Sequence, residues 1–111
     1  ETGAHGNITN APLWPGAGSD DFRTAMRDVV LPALRNFGPD LILISAGFDA
    51  HRRDPLAQLS LETEDFAWAT EELRRLAEAV CGGRVVSTLE GGYDLTALGE
   101  SAAAHVSVLM D

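Results

Sequence analysis

Two short runs of apolar and β-branched residues, Leu41–Ala46 and Arg84–Leu89, are separated by a stretch with a helical pattern. The first run is apolar except for Ser45, a pattern typical of a strand buried on both faces of a parallel sheet. Between the runs, apolar residues recur at helical spacing and predict a helix over 63–81, capped by Thr63. The order strand, helix, strand predicts a right-handed crossover, so the two strands should be parallel.

Two further helices are predicted on either side of this unit. The first spans 20–37 with Ser19 as its cap, and Pro32 should interrupt it because proline lacks an N–H donor. The second spans 95–110. Its predicted inward-facing residues are the apolar ones at helical spacing: Leu95, Leu98, Ala102, Val106 and Leu109.

Residues 1–18 are rich in glycine, asparagine and proline, which predicts an irregular segment. Within it, Ile8–Leu13 is interpreted as a short edge strand, because Pro12 cannot donate to a central one. Trp14, between two prolines, is expected to pack beneath a loop. Because the chain starts at Glu1 without a cap or start signal, we expect it to be part of a larger protein.

Composition limits the possible classes of function. The 111 residues fit one domain, and 45% hydrophobic content is typical of a globular chain. Seventeen acidic residues against eight basic ones give a net charge of −9, which argues against direct binding to nucleic acid or an anionic membrane. No signal peptide and no apolar run of membrane-spanning length are present, so a cytoplasmic location is expected. The single Cys81 cannot form an internal disulfide and weakly indicates a reducing compartment.

The candidate chemistry follows the two strands, because ligands of open α/β sheets bind beyond the carboxyl ends of strands. Asp49 and His51 follow the first strand as a D-x-H pair, whose side chains point the same way on an extended backbone. Alternatively, Asp49 caps a turn and His51 is a structural imidazole. Tyr93 follows two glycines after the second strand and could donate a hydrogen bond to an oxyanion. Alternatively, the ring of Tyr93 packs over the sheet edge and has no chemical role.

Other motifs carry less information. Gly91-Gly92 lacks the G-x-G-x-x-G spacing of a dinucleotide-binding turn. His5 lies in a glycine-rich segment and His105 in a predicted helix, and both are interpreted as structural or solvent-facing.

The motifs taken together carry a family resemblance. S-A-G-F-D-A-H-x-x-D-P-L spans Ser45–Leu56, and L-E-G-G-Y-D-L spans Leu89–Leu95. G-N-I-x-N-x-P-L at Gly6–Leu13 and F-x-P-D at Phe37–Asp40 precede them. The chain resembles the zinc-dependent histone deacetylase superfamily, which includes acetylpolyamine amidohydrolases and acetoin-utilisation proteins, over nearly all its length and in the same motif order.

The resemblance implies a three-layer α/β/α fold with a central parallel sheet, of which residues 1–111 would form a C-terminal part of one catalytic domain. It implies that Asp49 is a ligand of Zn²⁺ and that Tyr93 polarises an acetyl carbonyl and stabilises the oxyanion. It also implies a substrate channel at Leu56, Gly91 and Gly92. His51, from its place in the D-x-H pair, is interpreted as lying behind the metal ligand rather than as a ligand itself. The implied substrate is an acetylated amine, on a protein lysine or a polyamine.

The sequence also departs from the family. A catalytic zinc needs three protein ligands, and the family's second D-x-H motif and its His-His pair are absent here. We therefore expect the chain alone to be inactive and to bind zinc weakly or not at all. Apolar sheet surface left uncovered should make it self-associate. The alternative function is a non-catalytic α/β interaction module that keeps the motifs only for folding.

Overall fold

The computed structural model describes all residues, 1–111. It contains four α-helices, a π-helical segment and two strands. In chain order these are α1 (Ser19–Ala25), the π-helical segment (Met26–Val30), α2 (Leu31–Phe37), β1 (Ile42–Ala46), α3 (Thr63–Cys81), β2 (Val85–Leu89) and α4 (Leu95–Leu109).

The two strands pair in parallel, in a register that runs from Ile42 opposite Val85 to Ala46 opposite Leu89. With α3 between them, they form the predicted β-α-β unit, and the α/β class is confirmed. The ladder continues beyond both strands, since the Glu90 N–H donates to the Ala46 carbonyl at 3.0 Å. The carboxyl ends of the strands therefore lie side by side.

Helix starts differ from the prediction by one residue. Thr63 and Ser19 are the first helical residues rather than caps, and Glu62 and Gly18 occupy the cap positions. At α3 the reason is Asp65, whose carboxylate reaches back and accepts from the Glu62 N–H at 2.9 Å. A carboxylate three residues into the helix satisfies the same orphan donors as a capping hydroxyl.

The predicted interruption at Pro32 takes the form of a π-helical segment, Met26–Val30, directly before α2. Proline has no N–H with which to bond the carbonyl four residues earlier, so regular α-helical pairing cannot continue through it. The helix then ends as predicted at Gly38, whose φ of 65° is left-handed.

Helices cover one face of the sheet. Ile42 is buried against Leu76, Ala77 and Cys81 of α3. On the opposite face, Leu43 is 71% exposed. The prediction that β1 is buried on both faces is therefore wrong for this chain, because none of its helices packs on the second face.

Helix α4 turns inward a face that only partly matches the prediction: Leu98 and Ala102 pack against the core, but two of the other predicted residues do not. Ala97, Ser101 and His105 are buried, whereas Leu95 is 82% exposed and Val106 is 49% exposed. Small residues allow α4 to lie close against α3, and the buried ring of His105 is satisfied by hydroxyls. No helix of the chain combines the length and the apolar character needed to cross a membrane.

Two hydroxyls fix the ring of His105. Its Nδ1 lies 2.7 Å from Thr70 Oγ1 in α3, and its Nε2 lies 2.8 Å from Ser87 Oγ in β2. Since the Thr70 hydroxyl donates to the Phe66 carbonyl, it must accept from Nδ1–H, and the Ser87 hydroxyl then donates to Nε2. Burial lowers the pKa of His105, which favours this neutral ring. The prediction of a structural histidine is confirmed.

The N-terminal segment is irregular, as predicted, but two details of its prediction are wrong. Residues 8–13 form no strand, and Trp14 is 80% exposed rather than packed beneath a loop. The segment joins the body through backbone bonds near residue 17, where the Ser60 N–H donates to the Ala17 carbonyl at 2.8 Å. These bonds lie directly before helix α1, whose cap residue Gly18 donates its N–H to Asp21 Oδ2 at 3.2 Å.

We expect the 111-residue chain, produced alone, to self-associate through the uncovered sheet face, because Leu43 and Val86 on it are 71% and 53% exposed. Light scattering at tens of micromolar should show a mass above that of the monomer. Leu43→Glu combined with Val86→Glu should reduce this mass. Met110→Glu, at the exposed end of α4, is the control and should not. A monomeric unsubstituted chain would contradict the expectation.

Candidate functional site

The candidate site lies where the parallel ladder runs out. Beyond β1 the Phe48 N–H donates to the Gly91 carbonyl at 2.8 Å, which fixes the two loops against each other. Asp49 follows on one loop, and Gly92 and Tyr93 follow on the other. Strand pairing thus brings together the two loops that carry Asp49 and Tyr93, which follow different strands in the sequence.

The carboxylate of Asp49 packs directly on the backbone of Gly91. A Cβ at position 91 would lie 3.0 Å from Asp49 Cγ and 3.1 Å from each carboxylate oxygen. A Cβ at Gly47 would lie 3.0 Å from Asp49 Oδ1. The carboxylate therefore lies between two glycines, where an added Cβ would make a tight contact with it.

No hydrogen bond or ion pair within the chain engages this carboxylate, although Asp49 is half-buried. Turn-forming and capping aspartates accept hydrogen bonds from nearby backbone N–H groups. The alternative in which Asp49 caps a turn therefore has no contact to support it. The oxygens remain available to a group outside the chain.

Gly92 gives the second loop its shape. Its φ of 145° is one that side chains disfavour, and a Cβ there would lie 2.8 Å from Leu98 Cδ1 of α4. The next residue, Tyr93, is 55% exposed, and its hydroxyl makes no hydrogen bond within the chain. The phenol is therefore not packed away over the sheet edge, and its donor is free.

His51 turns away from this edge. Its ring is 1% exposed and stacks on Phe66 of α3, with centroids 6.4 Å apart. Nδ1 accepts from the Arg53 N–H at 3.1 Å, so Nε2 carries the proton and donates to Thr63 Oγ1 at 3.3 Å. The D-x-H pair does not point its two side chains to one ligand. A role for His51 behind the metal ligand stays a prediction, and its contacts are those of a packing residue.

Leu56 lies on the loop after His51 and is 66% exposed. Its backbone N–H donates to Asp54 Oδ1 at 2.8 Å. The structure thus places its side chain at the surface of the loop that holds Asp49, and its place in a channel stays a prediction.

Asp54 is the residue at this edge that sequence reasoning missed. It is 8% exposed, and Oδ2 accepts from the Tyr93 N–H at 2.8 Å while Oδ1 accepts from Leu56 and Ala57. Burial alone would raise the pKa of this carboxyl, but the backbone hydrogen bonds outweigh it and lower the pKa below its usual value. An aspartate before a proline is a turn signal, yet nothing in the sequence indicates the contact with Tyr93.

The residues fit one ligand position of a metal ion and not a full set. Asp49 offers unpartnered carboxylate oxygens at an exposed edge. No three His, Cys, Asp or Glu side chains in the chain converge as a metal-binding group. Since a catalytic zinc takes three protein ligands, the remaining ligands would have to come from outside residues 1–111.

Comparison with known sequences identifies the family. The sequence model described as "Histone deacetylase domain" matches residues 1–109. The chain belongs to the histone deacetylase family. The α/β fold with its parallel strand pair and the motif order found in the sequence agree with this assignment.

Named relatives of the chain are much longer than it is. It is 43% identical over 105 residues to histone deacetylase 14, chloroplastic, of Arabidopsis thaliana, covering 95% of this chain and 25% of that protein. It is 48% identical over 84 residues to the histone deacetylase-like amidohydrolase of Pseudomonas aeruginosa, covering 76% of this chain and 22% of that protein. The chain thus spans about a quarter or less of the length of these relatives.

A solved structure agrees with the fold. The crystal structure of the HDA15 HD domain superposes with a TM-score of 0.81 at 40% identity, over 90% of this chain and 28% of that domain's chain. The chain therefore corresponds to part of a larger domain, and its α/β architecture is that of the family.

We expect Gly92→Ala to destabilise the chain by about 1–3 kcal/mol, because the positive φ and the contact with Leu98 both exclude a side chain. Urea unfolding, in the background of the two sheet-face substitutions, measures this loss. Gly99→Ala is the matched control: Gly99 lies inside α4 with open space around it, so alanine should stabilise by about 0.5–1 kcal/mol. Equal stability of the two variants would show that the loop does not need glycine.

Proposed function

We propose that the full-length protein containing this chain is a zinc-dependent deacetylase that hydrolyses the amide of an acetylated amine, on a protein lysine or a polyamine. Residues 1–111 would be the C-terminal part of its single catalytic domain. The family assignment supports the reaction class, since the relatives are named as deacetylases and as an amidohydrolase. The site geometry supports the roles of individual residues.

One observation carries the proposal: the Asp49 carboxylate lies against Gly91 without a partner, at the edge where Tyr93 presents a free phenol. The chain's buried aspartates, in contrast, each accept several hydrogen bonds. A residue kept only for folding would show such bonds. The lack of them at Asp49 favours a catalytic role over the alternative of a non-catalytic interaction module.

In this proposal Asp49 supplies one of the ligands of Zn²⁺. When bound, the ion would act as a Lewis acid on the acetyl carbonyl and lower the pKa of a bound water. Tyr93 would donate its hydroxyl to the oxyanion as it develops, a bond that is stronger in the transition state than in the ground state. His51 would contribute from beneath the loop, by holding it against Phe66.

The glycines and Leu56 would shape the approach of the substrate. Gly91 and Gly92 carry no side chains, so an acetyl group can reach Asp49 and Tyr93 between the two loops. Leu56, 66% exposed, would offer an apolar wall to the methylene stem of an acetylated lysine or polyamine. Both substrate classes end in the same acetylated amine, and assays with each would separate them.

We expect the 111-residue chain alone to show no deacetylation, because one carboxylate leaves the coordination of zinc incomplete. An acetyl-lysine peptide and an acetylated polyamine, each incubated with the purified chain and zinc, should remain acetylated by mass spectrometry. Calorimetric titration with zinc should show weak binding or none. Zinc-dependent turnover by the chain alone would overturn this part of the proposal.

In the full-length protein we expect two separable effects. Tyr93→Phe should lower kcat by about 10²–10³-fold with zinc content unchanged, because it removes one oxyanion donor. Asp49→Ala should lose zinc and activity together, because it removes a ligand. Steady-state kinetics and metal analysis of each purified variant measure both.

The matched control is Asp40→Ala, an exposed aspartate just before β1, at the opposite end of the same strand. It should keep both zinc and activity. If Tyr93→Phe lost the metal, or Asp49→Ala kept full occupancy and turnover, the roles assigned to these residues would be wrong while the family assignment would stand.

A further inference from the structure

Asp54 is a buried carboxylate that the proposed chemistry does not use. It is 8% exposed and forms no ion pair. Its hydrogen-bond partners are backbone N–H groups. A buried carboxylate is costly unless its oxygens are hydrogen-bonded, and here both are. The distribution of these bonds between two loops indicates what the residue does.

The two oxygens of Asp54 bind different parts of the chain. Oδ1 accepts from Leu56 at 2.8 Å and from Ala57 at 3.3 Å, within its own loop. Oδ2 accepts from the N–H of Tyr93 at 2.8 Å, across to the loop that follows β2. The local bonds form a turn that a serine or asparagine side chain would also support. The bond to Tyr93 requires the second oxygen.

The loop that carries Tyr93 needs such an anchor. Two glycines precede Tyr93, and glycine has the greatest backbone freedom of all residues. Gly91 is held by Phe48, and Asp94 is held as the cap of α4, where it accepts from the Ala97 N–H at 2.8 Å. Between these two points, the bond to Asp54 is the hydrogen bond that fixes the peptide of Tyr93.

We infer that Asp54 is a positioning residue for Tyr93: its carboxylate clamps the Tyr93 loop to the Leu56 loop and so sets where the phenol points. The inference rests on the proposed function, in which Tyr93 donates to the oxyanion. A displacement of about 1 Å at a catalytic group can cost about 10²-fold in rate, so a clamp on the backbone of Tyr93 would act on kcat.

Asp54→Ser removes the hydrogen bond to Tyr93 but keeps the local turn at Leu56. The serine hydroxyl can accept from the Leu56 N–H two residues on, and so keep the local turn, but it has no second acceptor for Tyr93. Asp54→Asn is the second variant. Its amide has one acceptor oxygen, so an NH₂ group must face one of the N–H donors.

The test is a double-mutant cycle in the full-length protein with Tyr93→Phe. Asp54→Ser should lower kcat by about 10²-fold, with KM and zinc content little changed. In the Tyr93→Phe background the same substitution should cost no more than about twofold, because the hydroxyl that it mispositions is already absent. A residue that acts only through overall stability would not show this loss of effect.

Asp65→Asn is the matched control. Asp65 is 1% exposed and accepts from the Glu62 N–H and the Ser19 hydroxyl, and its pKa is likewise lowered against the effect of burial by these bonds and by Arg23. It has no contact with the Tyr93 loop. Its loss should reduce stability in urea unfolding but leave kcat per folded molecule unchanged.

The outcomes distinguish the inference from the proposed function. Suppose that Tyr93→Phe lowers kcat. If Asp54→Ser then keeps full kcat, or if the double variant shows the product of the two single fold-reductions in kcat, the positioning role is wrong and the proposed function stands. If Tyr93→Phe leaves kcat unchanged, the role of Tyr93 fails and the positioning role fails with it. Should Asp54→Ser not fold, the cycle with Asp54→Asn gives the same decision.

Discussion

The parallel pairing of β1 with β2 is the constraint on which the rest of the structure depends. The backbone ladder does not stop with the strands but continues into both loops, through Glu90 to Ala46 and Phe48 to Gly91. Because parallel strands end at the same edge, the loops that carry Asp49 and Tyr93 lie side by side although a whole helix separates them in sequence. A one-residue change of register would turn every second side chain to the other face and separate this pair.

The aspartates of the chain differ in burial and in hydrogen bonding. Asp54 and Asp65 are buried and accept several hydrogen bonds each, which lower their pKa values against the effect of burial. Asp49 is only half-buried, has no partner in the chain and keeps its oxygens free. The same side chain therefore holds two loops together, caps the start of a helix or has no hydrogen-bond partner, according to what surrounds it.

Helices cover one face of the sheet and leave the other open. This agrees with the chain matching only part of its much longer relatives. Leu43 and Val86 are exposed on the face that the helices leave open. The chain spans 25% of histone deacetylase 14 and 28% of the HDA15 HD domain chain. The three-layer architecture requires a second layer of helices, and residues 1–111 supply the first. The same holds for metal ligands, since no three His, Cys, Asp or Glu side chains of the chain converge.

The sequence by itself determined the three helical regions, the two parallel strands and the motifs that identify the family, although it also predicted a strand at 8–13 that does not form. These depend on local properties: residue spacing, the glycines at 38 and 82 and the proline at 32 act on the backbone next to them. It also placed Asp49 and Tyr93 at the carboxyl ends of strands. The roles of these two residues remain predictions.

Only the tertiary structure decided which side chains face inward and which polar groups hold the loops. Helix α4 buries Ser101 and His105 rather than Leu95, because it packs close to α3 and hydroxyls satisfy the imidazole. His51 is buried in the core, where its ring bonds Thr63, and Asp54 accepts from the N–H of Tyr93, which lies 39 positions later in the sequence. Such contacts join residues distant in sequence, so no local pattern of apolar and polar positions encodes them.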